Sequence, residues 1–196
     1  MKNTKGKELS PKIVHLVETA KELFFRYGIK RVSIEEICRE SGVSKMTFYR
    51  YFPSKTAIAK HVLESIYGEG RERINSILAM DVPFEERLKK VLATKMEYTD
   101  EYSREFIGDL MTGSEPELKK YIEQETKNFL NELRKIFLDA QKKGEIRSDI
   151  KADFIIYMMN VMKEVFKDEN LQKLYPDFAS LMKDAFNFFY YGVLKR

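Results

Sequence analysis

Cysteine is almost missing from this chain. Cys38 is the only one, so no internal disulfide can form, and its place on an apolar helical face predicts core packing in a reducing compartment. Histidine is scarce as well. His15 and His61 stand far apart, neither within a cysteine or carboxylate cluster, which predicts no metal centre. Two histidines and one cysteine leave little from which to build a nucleophile–base pair. The chain also lacks G-x-S-x-G, H-E-x-x-H and any phosphate-cradling glycine loop. Adjacent carboxylates such as Glu35-Glu36 and Glu85-Glu86 diverge on a helix and need only be solvated. The expectation is a protein that is not an enzyme and uses no cofactor. No run of 18 or more apolar residues occurs, so no membrane span is predicted. The start, MKNTKGKELSPK, is basic and has no apolar core, which predicts no secretory signal and a cytoplasmic protein. Nine glycines and five prolines are thinly spread, and no strand pattern, repeat or low-complexity tract appears. These absences leave an all-α fold of about nine helices.

What is present begins with an uneven charge. Residues 1–55 hold 12 Lys+Arg against 6 Asp+Glu, a balance of +6, whereas residues 56–196 hold 23 against 25, a balance of −2. Positive charge gathered at one end raises affinity and on-rate for a polyanion through counterion release.

The same end carries SIEEICRESGVSKMTFYRYFPSK, residues 33–55. Ser33 and Glu36 have the spacing of a capping box. Ile34, Ile37 and Cys38 share one helical face. Gly42 stands where that helix must stop and the chain turn. Ser44 is a second N-cap, Lys45 to Phe52 makes a helix of about two turns, and Pro53 ends it. Phe48 and Phe52, four apart, are its core anchors. Its other faces carry Lys45, Thr47, Tyr49, Arg50 and Tyr51, side chains that bond phosphates and base edges. Taken singly, each feature fits an ordinary helical surface. In this order and spacing they predict a helix-turn-helix that reads DNA.

GVSKMTFYRYFPSK resembles the recognition region of the TetR family of bacterial one-component transcriptional regulators, and the resemblance runs over about residues 10–59. It implies that Ser44, Lys45, Thr47, Tyr49, Arg50 and Tyr51 stand where family members meet DNA. It also implies that Ser33 and Lys55 hold phosphates where helices begin, in keeping with the anion preference of a helix N-terminus. Lys45 and Thr47 are the base-edge candidates, and Tyr49, Tyr51 and Lys55 the phosphate clamps. Met46 departs from the pattern, since many relatives have a small residue there. A contact to a thymine methyl and the shielding of a helix both fit it, so the sequence read is open.

Two domains are expected: a helix-turn-helix DNA-binding head over residues 1–55, and a ligand-binding and dimerisation bundle over residues 56–196. In the head, residues 1–9 read as a mobile arm. Ser10-Pro11 opens a helix with an Ile13, Val17, Ala20, Leu23, Phe24 stripe that ends at Tyr27-Gly28. A long helix starts at Lys55 and runs to about Met80, crossed by Gly68 and Gly70. Close packing, a tolerated loss and a weak joint all account for that glycine pair. Asp81-Val82-Pro83 starts a further helix, and Ser114-Glu115-Pro116 opens another after Gly113. Residues 80–140 hold Phe84, Met96, Tyr98, Tyr102, Phe106, Met111, Tyr121, Phe129 and Phe137. Most of these are core, and the resemblance implies that some line a cavity for a small hydrophobic effector. Residues 154–166 and 178–194 are apolar nearly all round, which requires cover on every side. A second copy supplies that cover, so the helices around 151–167 and 177–194 are expected to pair in a two-fold dimer. The resemblance implies the same dimer, a palindromic double-stranded operator, and repression relieved by the effector. A helical adaptor would explain residues 80–196 equally well, but not the +6 head or its exposed Lys/Thr/Tyr/Arg face.

Overall fold

Helices form where those periodicities lie. The computed structural model describes residues 9–100, 102–112, 115–166 and 168–194, with the backbone alone at 92, 95–100, 163 and 164. Among them are ten helices: α1 (Pro11–Tyr27), α2 (Ile34–Ser41), α3 (Lys45–Tyr51), α4 (Lys55–Leu78), α5 (Phe84–Asp100), α6 (Arg104–Thr112), α7 (Pro116–Lys142), α8 (Ala152–Val165), α9 (Glu169–Gln172) and α10 (Phe178–Val193). No strand occurs among the described residues beyond one isolated bridge, Ile146 with Leu194. The all-α reading therefore holds. The helix beyond the expected nine is α9, a single turn capped by Asp168, whose Oδ1 accepts the Asn170 and Leu171 amides at 2.8 and 3.2 Å. One turn is too short to show a 3.6-residue period.

The helices gather into two compact units, residues 1–70 with 101–123 and residues 71–100 with 124–196. In the first, α1 buries Ile13, Leu16, Val17, Ala20 and Phe24 against Ile37 and Cys38 of α2, Phe48 of α3, and Phe52. Ile58, Ala59, Val62 and Leu63 of α4 complete that core. Each fully buried phenylalanine or leucine contributes about 1.5–3 kcal/mol. Leu9, read as part of a mobile arm, is a core residue; the rest of that arm lies outside the described residues, as do Gly113 and Ser114. α6 packs on α1 through a Phe25, Tyr102 and Phe106 cluster with ring centroids 4.6–5.2 Å apart.

α4 runs unbroken through Gly68 and Gly70. A Cβ at either position would meet nothing within 4 Å, so close packing does not explain the pair. The division between the two units falls directly after Gly70.

The second unit is built on Phe84 of α5, Leu133, Phe137 and Ala140 of α7, Ile155 of α8 and Val193 of α10. Arg87 fastens it, donating to Glu145 at 2.8 Å and to the Leu78 carbonyl at 3.2 Å. α8 and α10 are not uniformly covered. Ile155, Leu181, Tyr190 and Val193 are buried, while Phe154, Tyr157, Phe188 and Tyr191 are 55–84% exposed.

Candidate nucleic-acid interface

The local geometry of the helix-turn-helix follows the residues that announce it. Ser33 Oγ accepts the Glu36 amide at 3.1 Å and so caps α2. α2 stops at Gly42, whose φ of 63° and ψ of 25° lie in the left-handed region open to glycine. The Val43 amide then donates to the Cys38 carbonyl at 3.0 Å, closing the turn, and Val43 is buried inside it. Ser44 Oγ accepts the Thr47 amide at 3.2 Å and caps α3. Phe48 and Phe52 are 0% and 1% exposed, which fixes the face that α3 turns to solvent. On that outer side Ser44, Lys45, Met46, Tyr49 and Arg50 are exposed, and Thr47 and Tyr51 are half-buried. The Thr47 hydroxyl lies 3.0 Å from Ser44 Oγ.

Two charged candidates are already engaged. Lys45 forms an ion pair with Glu35 across the turn. The pairing holds the Glu35 carboxyl below the usual carboxylate range and raises the Lys45 ammonium. Lys55, assigned to a phosphate by its place at the start of α4, is engaged more completely. Its Nζ donates to the carbonyls of Ile29, Lys30 and Val32, each at 2.9 Å.

Those carbonyls belong to the loop between α1 and α2, which α6 also holds. Gly28 ends α1 with φ of 81° and ψ of 157°. The Lys30 amide donates to Asp109 Oδ2 at 2.9 Å, and Lys30 Nζ lies 3.5 Å from Asp109 Oδ1. Asp109 is 7% exposed.

With this geometry in place, the comparisons place the head in a family. Residues 16–62 match the family model described as bacterial regulatory proteins, tetR family. The chain is similar to the HTH-type transcriptional repressor DhaR of Mycobacterium sp. (strain GP1), 29% identical over 149 residues that span 72% of this chain and 73% of that protein. Residues 16–62 thus carry the DNA-binding region of the TetR family. Its fold is similar to that of fatty acid degradation regulator FadR from Bacillus halodurans, with a TM-score of 0.73 and 19% identity over 94% of this chain and 97% of that one. It is also similar to transcriptional regulator FadR from Bacillus subtilis, solved in complex with stearoyl-CoA, with a TM-score of 0.70 and 18% identity over 90% of this chain and 97% of that one. The chain is thus similar to TetR-family transcriptional regulators in its head sequence and in its fold.

The structure of this TetR-family head adds roles that the sequence did not assign. Glu35, read as merely solvated, sets the direction of Lys45. Asp109 is a buried carboxylate whose partner is 79 residues away, a separation that leaves no local pattern to read. His61 is the third. It is 7% exposed, its ring lies 5.6 Å from that of Phe52, and its Nε2 has no hydrogen-bond partner among the described residues. Burial lowers its pKa, opposed by Glu64, whose Oε2 is 3.8 Å from Nδ1. Because the folded-state value lies below the unfolded one, this contribution to stability is complete above the ordinary imidazole range. It is lost as pH falls from about 6.5 through the lowered folded value. The melting temperature of the native protein should drop between pH 7 and pH 5.5, and His61→Leu should flatten the drop. Equal slopes for the two proteins would remove His61 from the account.

Proposed function

We propose that the chain is a homodimeric repressor that binds an inverted-repeat operator and is released by a small hydrophobic effector. The observation that carries the DNA side is the outer face of α3: Lys45, Met46, Tyr49 and Arg50 stand exposed on a helix anchored by buried Phe48. Lys45 and Thr47 are the residues we assign to base edges. Ser33, Ser44, Tyr49, Arg50 and Tyr51 place the head on the phosphates, and Met46 meets the groove floor. To reach a base, Lys45 exchanges Glu35 for DNA.

The exposed aromatics on α8 and α10 support the dimer. A second copy covers Phe154, Tyr157, Phe188 and Tyr191 and relates the two heads by a two-fold axis, which makes the operator palindromic. The effector reading rests on a cavity of about 50 Å³ lined by Leu88, Val91, Leu133, Phe137, Met159 and Phe189, among others. That lining favours an apolar guest. DhaR is named a repressor, which supports the same sign of control here. A DNA-binding regulator of this kind works in the bacterial cytoplasm, and no helix among the described residues is long and apolar enough to cross a membrane.

Selection of bound duplexes with the Thr47→Ala variant tests the assignment. Preference should relax at one position in each half-site, by about 1–3 kcal/mol against the wrong base. Arg50→Ala should instead weaken all duplexes alike and reduce the salt slope by about 1. Sequence-blind effects from both variants would overturn this division of roles.

A further inference from the structure

Lys55 begins α4, and its ammonium reaches back 26 residues to Ile29, 25 to Lys30 and 23 to Val32. An ammonium has three N–H donors. All three are taken at 2.9 Å by the loop carbonyls. A phosphate oxygen could therefore be bound only by freeing one of these acceptors, two of which are part-buried. A freed part-buried carbonyl regains water only in part, whereas the Lys30 carbonyl is exposed.

The position of this contact gives it a wider consequence. Val32 immediately precedes Ser33, the cap of α2. From there the chain runs through α2, the Gly42 turn and α3 to Pro53, Ser54 and Lys55. The Lys55 side chain thus ties the end of the helix-turn-helix to its beginning, and the whole motif lies within one ring closed by three hydrogen bonds. The far side of the same loop is held by Asp109, which accepts the Lys30 amide at 2.9 Å. The loop is gripped by a cation on its carbonyls and an anion on an amide.

We infer that Lys55 is a positioning residue: it clamps the loop before α2 from within and so sets the angle at which α3 meets DNA, and it does not bind a phosphate. The inference rests on the DNA-reading role of α3. The role depends on the shape of the ammonium, a compact group with three diverging donors. A guanidinium is a planar fork and cannot converge on three carbonyls in the same way, though it grips phosphate at least as well.

Lys55→Met and Lys55→Arg separate the possibilities in the full-length protein. The measurements are binding to a duplex recovered by selection and to a random-sequence duplex of equal length, over a range of salt, together with melting temperature and amide exchange at residues 29–36. The clamp predicts that both variants lose affinity for both duplexes, on the order of tenfold, with the slope of log K against log salt unchanged. It also predicts faster exchange at the Lys30 and Glu36 amides in both. A phosphate contact predicts instead a slope reduced by about 0.9 in Lys55→Met and full recovery in Lys55→Arg; that result overturns the inference. Lower melting temperature with unchanged affinity also overturns it, since the role is then structural only. If the native protein binds no duplex in a salt-dependent way, the reading of α3 fails, while exchange at residues 29–36 still decides whether the clamp exists: unchanged exchange in both variants overturns it.

Discussion

Tyr157→Lys combined with Phe188→Lys should yield a folded monomer whose operator affinity is at least about 100-fold lower. The two side chains are 63% and 84% exposed, so lysine at either position costs the isolated subunit little. At a dimer contact the same lysines become buried, unpaired charges on both copies, which an apolar interface does not tolerate. The DNA effect follows from the linkage of two heads. Once one head is bound, the other searches at an effective concentration in the millimolar range, worth a factor of about 10²–10⁴. Neither substitution touches the +6 head, so random-sequence duplex bound by a single head should be held almost as before. Light scattering at micromolar protein gives the mass, and titration of a selected duplex gives the affinity. A double variant that remains a dimer would move the interface elsewhere.

Gly28→Ala should destabilise the protein by about 2–5 kcal/mol, whereas Gly42→Asn should cost less than about 1 kcal/mol. Both glycines end helices with positive φ, 81° and 63°. Gly42 has the left-handed conformation that asparagine also adopts, and a Cβ there meets nothing within 4 Å. Gly28 has ψ of 157°, a region that other residues essentially never enter. A Cβ there would lie 2.9 Å from Asp109 Oδ2 and 3.1 Å from Glu105 Cβ. The carboxylate cannot swing aside without releasing the Lys30 amide. Denaturant titration of both variants checks the contrast, and equal losses would contradict it.

These two glycines also mark where the sequence stops being readable. Gly42 is legible because its whole reason is local: a capped helix before it, a capped helix after it, and a turn between. The same holds for Ser33, Ser44, Phe48 and Phe52, whose partners lie within four residues or on the same helix face. Gly28 is legible as a helix end, but half of its reason is Asp109, which no local pattern connects to it. Lys55 is legible as a cation at a helix start. Its three acceptors are backbone carbonyls, which every residue has, so the side-chain pattern could not name them.

The second unit shows the same limit in its packing. Composition reads α8 and α10 as apolar all round, and only packing separates buried Ile155, Leu181 and Val193 from exposed Phe154, Tyr157, Phe188 and Tyr191. Of the aromatic and methionine residues between positions 80 and 140, Phe84 and Phe106 are core, while Phe129 and Phe137 border the cavity. The side chains of Met96 and Tyr98 lie outside the described residues. A cavity arises from side chains that nearly meet, and near-meeting has no period along the chain.

The account stands or falls on selection of tight binders from a pool of random duplexes by the full-length protein, followed by titration of the enriched sequence over a range of salt. It predicts an inverted repeat with half-site centres one helical turn, about 34–36 Å, or a multiple of that apart, and an affinity that falls linearly in log salt. A pool with no enriched palindrome, or binding indifferent to salt, would contradict it.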